Sequence, residues 1–220
     1  MHLNGDVMHQ LTLVERIVSE VDTALRTICV PIQRSSKRMN PGDSVPESVL
    51  NADEQRQVAG LMRVNHAGEV CAQALYQGQA LTAKLTQVKA QMTEAAAEEI
   101  DHLSWCEQRL RELNSQPSML NPLWYTASLT LGMIAGLAGD RWSLGFVAET
   151  ERQVTAHLGE HLQQLPVQDS KTKAILAQMH EDEAHHADVA HQAGAAELPL
   201  LIKKLMNGVS KLMTQSSYYI

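Results

Sequence analysis

The feature that most constrains this 220-residue chain is a pair of E-x-x-H motifs, Glu99–His102 and Glu183–His186, set 84 residues apart. Each lies in a run of apolar residues at helical spacing. Met92, Ala95, Glu99, His102, Cys106 and Leu110 share one stripe, and Leu176, Met179, Glu183, His186 and Ala190 share another. A spacing of three puts carboxylate and imidazole on one helical face, and the apolar stripe turns that face toward a core. Each motif is preceded by a helical segment with one glutamate on its apolar stripe: Glu69 among Val58, Met62, Asn65, Ala72 and Tyr76, and Glu151 among Val147, Val154 and Leu158. Glu69 precedes Glu99 by 30 residues and Glu151 precedes Glu183 by 32, so the chain reads as two copies of one helical pair.

Four carboxylates buried together repel one another, and each carries a desolvation penalty on the order of several kcal/mol. Positive charge must sit among them. Two divalent cations balance the four carboxylates, while two neutral imidazoles complete the coordination without adding charge. Carboxylate plus imidazole suits iron or manganese, whereas a closed structural zinc site favours thiolates or more imidazoles. This is the ligand set of ferritin-like dinuclear bundles. Other acids and histidines compete locally: Asp182 and His185 also stand three apart, Glu98 adjoins Glu99, and Glu149 lies two residues before Glu151. The apolar stripe selects against them. His66, His157, His161 and His191 are expected at the surface or around the ligands, Cys71 and Cys106 in the core, and Trp105 and Tyr76 as bulky core filling. No separate general base is evident.

Composition agrees with a helical bundle. Only 4% of residues are aromatic, and Ala, Leu, Gln, Glu and Met, which favour helices, dominate; an all-β fold is excluded. A net charge of −7 leaves no general basic surface for nucleic acid. Cys29, Cys71 and Cys106 are odd in number and lack C-x-x-C spacing, which reads as small buried residues in a reducing compartment. The N-terminus has neither a signal-peptide nor a transit-peptide pattern.

Periodicity predicts a first helix from Leu11 to Ile28, a linker over 31–50, and an N-cap at Asp53. Long helices follow over 54–82, 85–114, 141–165 and 170–194, with a last one over 198–213. The expected organisation is a single all-α ferritin-like domain over 1–220: an N-terminal helix and linker (1–52), a four-helix dinuclear metal bundle (53–194), and a C-terminal amphipathic helix and tail (195–220). Residues 117–139 form a stretch of 23 without a charge, near the length of a membrane span. Its three glycines, its hydroxyls and the adjoining Asp140 and Arg141 favour an interfacial or buried helix instead.

The segments RVNHAGEVCAQALYQGQ (63–79), EEIDHLSWC (98–106), GFVAETE (145–151) and DEAHH (182–186) resemble the Coq7 family, especially its bacterial branch. The resemblance covers Asp53 to Gly194. It implies a di-iron demethoxyubiquinol hydroxylase of ubiquinone biosynthesis, with two iron ions per chain held by Glu69, Glu99, His102, Glu151, Glu183 and His186, the six residues that the stripes select. It further implies dioxygen and a polyprenylated methoxy-methyl-benzoquinol as substrates, and a peripheral position on the cytoplasmic face of the cell membrane. A ubiquinone-biosynthesis complex is left open as a partner. No G-x-G-x-x-G or P-loop motif is present, so electrons are expected from another protein, a reduced cofactor or the quinol itself. The alternative is a ferritin-like iron store or a rubrerythrin-like peroxidase.

Overall fold

The computed structural model describes residues 12–29, 31 and 34–220. The expected start of the first helix at Leu11 lies outside them. Seven helices follow in order: α1 (Leu13–Ile28), α2 (Ala52–Thr82), α3 (Thr86–Glu112), α4 (Asn121–Ala138), α5 (Asp140–Gln164), α6 (Ser170–Gln192) and α7 (Leu200–Tyr219). No strand occurs among the described residues. The expected N-cap at Asp53 is instead Asn51. Its side chain accepts from the Asp53 and Glu54 amides while the Glu54 carboxylate accepts from the Asn51 amide, a reciprocal cap that satisfies otherwise unpaired N–H groups.

The four long helices α2, α3, α5 and α6 form the bundle, α2 pairing with α3 and α5 with α6. Their apolar residues gather into two clusters. One holds Met62, Trp105, Cys106, Leu158, Leu176 and Met179. The other holds Ala72, Tyr76, Met92, Leu144, Val147 and Ala190. Along every bundle helix, the acids and histidines of interest fall between the segments that feed these clusters, so a polar layer is sandwiched between two dry ones.

α4 runs along α2 at very short range. A Cβ at Gly132 would meet the Leu75 carbonyl at 2.2 Å, and one at Gly78 would meet the Leu129 carbonyl at 2.3 Å, so neither position admits a side chain. The turn into α5 falls at Gly139, whose φ of 115° lies in a region closed to most L-residues. α7 lies across α2, with Tyr218 packed over Gly60 and its carbonyl accepting from Arg63 at 2.5 Å. α1 is held by Ala24 and Ile28, which pack on the Val70–Leu103–Tyr125 cluster.

The 31–50 segment does not behave as a free linker over its described part. Arg34 donates to Glu107 at 2.7 Å, and Ser36 Oγ and the Lys37 amide donate to Asp101 at 3.0 and 2.7 Å. These contacts dock it on α3, supplying partners for acids that would otherwise be buried alone. The expectation for the cysteines holds only at Cys106, which is buried. Cys71 is half-buried and Cys29, at the end of α1, is exposed; all three are free thiols. No helix among the described residues is long and apolar enough to cross a membrane.

Candidate metal centre

Glu69 on α2, Glu99 and His102 on α3, and Glu183 on α6 bring one ligand atom each to within 4.8 Å of one another, all four buried. His186 completes the α6 motif, with Nδ1 3.2 Å from Glu183 and 3.6 Å from Glu99. Glu151 on α5 is 1% exposed, borders Glu183 and Glu99, and accepts a hydrogen bond from the Tyr76 hydroxyl. All six residues selected from sequence therefore converge on one layer of the bundle.

Each imidazole is held on both sides. His102 Nδ1 faces the carboxylates, 3.0 Å from Glu183 and 3.6 Å from Glu69, while its Nε2 lies 2.9 Å from Asp182. His186 Nε2 in turn meets Glu98 at 2.5 Å. The pairing is crossed: the acid preceding the glutamate of one E-x-x-H motif binds the histidine of the other. Such outer carboxylates fix the ring and its tautomer and raise its strength as a ligand.

The two halves differ beyond that point. Arg38, from the docked 34–38 segment, donates to Asp182, lies 3.5 Å from Asp101, and sits over the Trp105 ring at 4.8 Å from its centroid. Trp105 packs on His102 with centroids 5.3 Å apart. On the other side, the Glu98 side chain is 45% exposed, against 13% for Asp182.

The electrostatics are those of a place that needs cations. Burial, reinforced by repulsion from Glu99, holds the Glu69 carboxyl well above the usual carboxylate range. Burial followed by the charges of Glu183 and Glu99 does the same to Glu151. Burial opposes charge on His186, yet its bond to Glu183 and the neighbouring Glu99 carry it up to about 11. Without an ion, protons thus gather on the cluster to balance its acids. Glu99 Oε1 remains buried with no hydrogen-bond partner, a costly state for a carboxylate that coordination relieves. These acids and imidazoles can hold a metal ion, and the oxygen-rich set fits iron.

The competing acids and histidines separate clearly. Glu149 is buried but turned away, accepting from Arg152 at 2.6 Å and from Gln153 at 2.6 Å, with Lys203 of α7 at 3.6 Å. His66 and His161 are fully enclosed: His66 sits 3.4 Å from Glu107 and His161 Nδ1 bonds Asn65 at 2.8 Å. His191 is exposed and His157 half-buried. Tyr76 and Trp105 do more than fill space, since each touches a member of the cluster. Periodicity missed Asp182, Glu98 and Arg38 as contributors; the repeated acid directly before each E-x-x-H glutamate was the available signal for the first two.

Comparison with known proteins agrees with this geometry. The family model of ubiquinone biosynthesis protein COQ7 matches residues 56–217. A Legionella pneumophila (strain Paris) protein named 3-demethoxyubiquinol 3-hydroxylase is 64% identical over 213 residues, covering 97% of this chain and 100% of the relative. Proteins of the same name from Acinetobacter baylyi and Acinetobacter baumannii are 56% and 55% identical over the same coverage. Matched over most of its length by the family model and end to end by these relatives, the chain belongs to the COQ7 family of ubiquinone biosynthesis proteins.

Proposed function

We propose that this chain is a 3-demethoxyubiquinol 3-hydroxylase that holds two iron ions through Glu69, Glu99, His102, Glu151, Glu183 and His186. The observation that carries the reading is the crossed pair of E-x-x-H motifs inside a buried layer of four glutamates, in a chain of this family. When bound, iron would supply the redox chemistry: a donor provides two electrons and two protons and the ring C–H the other two electrons, so that one atom of dioxygen ends as the ring hydroxyl and the other as water.

The chain's own residues set the conditions for that chemistry. His102 and His186 present Nδ1 to the layer because Asp182 and Glu98 engage Nε2. Tyr76, whose hydroxyl burial and Glu151 keep protonated, steers Glu151 by donating to it. The apolar clusters above and below exclude water, which strengthens the charge interactions in the layer. The domain is a single unit over 1–220, with 53–194 as the metal-holding bundle. Exposed Leu123, Ile134 and Leu137 on α4 and Leu201 and Leu205 on α7 support a peripheral site on a membrane, where a polyprenylated quinol resides; the reading puts that site on the cytoplasmic face of the cell membrane.

Quinone profiling by mass spectrometry in a deletion strain tests the reading. Accumulated demethoxyubiquinone, cleared by the wild-type gene and not by Glu99→Ala, is the expected result. Unchanged quinones with altered cellular iron would overturn it in favour of an iron store.

A further inference from the structure

A groove of about 400 Å³ lies between α1, α2 and α3. Its size falls within the range of small-molecule sites. Of the six clustered residues none lines it, yet its floor is one helical turn from them: Gln73 follows Glu69 by four residues, and Ala96 precedes Glu99 by three. Tyr76 links the two places directly, lining the groove while its hydroxyl donates to Glu151. Another hollow, of about 460 Å³ between α5 and α6, includes Gly159 and His180 and reaches Glu151 only at its main chain, where Thr155 donates to the Glu151 carbonyl at 2.7 Å.

The lining is mixed in the way a substituted aromatic ring requires. Ala80, Leu81, Met92 and Ile100 offer apolar walls. Gln73, 4% exposed, leaves its Oε1 without a hydrogen-bond partner, a buried acceptor whose cost a ring hydroxyl would remove. The wall on the α1 side is held through Gln77, whose amide donates to the Glu20 carbonyl at 3.1 Å and accepts from Tyr125. α1 then turns Val14, Val18, Val21 and Leu25 outward, an apolar surface for a chain leaving the groove.

We infer that this groove seats the ring of the benzoquinol, with Gln73 and Tyr76 as its polar floor and α1 as its outer wall. The inference rests on the hydroxylase reading above and adds the place and the residues of substrate binding. The test is binding, not turnover: the full chain, loaded with ferrous iron and kept free of dioxygen, is titrated calorimetrically with tail-less 2-methoxy-5-methyl-1,4-benzoquinol. Ala97→Trp and Ala80→Phe fill the groove from α3 and α2, and each should raise Kd about tenfold or more, while Ala156→Trp in the α5–α6 hollow leaves it unchanged. Hydrogen exchange on the unmutated chain, which no folding defect can confound, should show quinol-dependent protection of α1 and of residues 86–100. Binding that both groove variants retain, or protection confined elsewhere, overturns the inference and leaves the hydroxylase reading standing. A wild-type chain that binds no quinol overturns both.

Discussion

Removing the Arg38 guanidinium should weaken one metal position and spare the other. Arg38 reaches the site from outside the bundle, through Asp182 to His102 and across the face of Trp105. Loss of an outer carboxylate partner of a metal-bound histidine typically costs about 10- to 100-fold in metal affinity, or about 1.4 to 2.8 kcal/mol. Asp182 touches the ring itself, so Asp182→Asn should fall near the upper figure. Arg38 acts chiefly through Asp182, touching the His102 ring only at 3.4 Å, and its side chain is 40% exposed, so solvent screening places Arg38→Gln near the lower one, about tenfold. Arg38→Lys keeps the charge but loses the planar fork and its stacking on Trp105, and should fall between Arg38→Gln and wild type. The assay is anaerobic calorimetric titration of metal-free protein with Mn(II), which separates two binding steps. Arg38→Gln should weaken one step, and Glu98→Gln, acting on His186, the other. If Arg38→Gln leaves both steps within twofold of wild type, the linkage from Arg38 to the metal layer is wrong.

Three further outcomes follow from the same geometry. Glu183→Ala should lose metal and hydroxylation together, whereas Glu149→Ala, whose carboxylate faces Arg152 and Lys203, should keep both by iron analysis and product assay. Metal-free protein should lose thermal stability from about pH 7.5 to pH 9: His186 is held up to about 11 against an ordinary 6.5, while His66, His157 and His161, held low by burial, are by then largely neutral in folded and unfolded chain alike, so the folded state binds more protons and stability falls as pH rises. A flat calorimetric profile would contradict this. On the surface, Ile134→Glu with Leu137→Glu should reduce binding to anionic liposomes without changing iron content. Leu129 is unsuited to that experiment because it packs against Val70, Ala74 and Tyr125.

Much of the centre was legible in one dimension because helical periodicity converts spacing into direction. Glu69, Glu99, Glu151 and Glu183 interrupt apolar stripes, and an acid on a buried stripe must meet compensating charge wherever the helices dock. The element order and the turning of Glu149 away from the polar layer were readable for the same reason. What periodicity cannot express is contact between segments far apart in sequence. Asp182 and Glu98 lie beside the stripe on their own helices, and only packing of α3 against α6 makes each the partner of the opposite histidine. Arg38 sits in a segment with the composition of a linker, 144 residues from Asp182. Its role exists because Glu107 and Asp101, buried on α3, need partners that the docked segment supplies. Likewise the groove at Gln73 and Tyr76 depends on where α1 rests, a placement decided by a few contacts with Gln77 and the α4 cluster. The choice and facing of the candidate ligands thus belong to the sequence; their outer partners, and the asymmetry between the two histidines, arise only when distant helices and a docked loop close over the same polar layer.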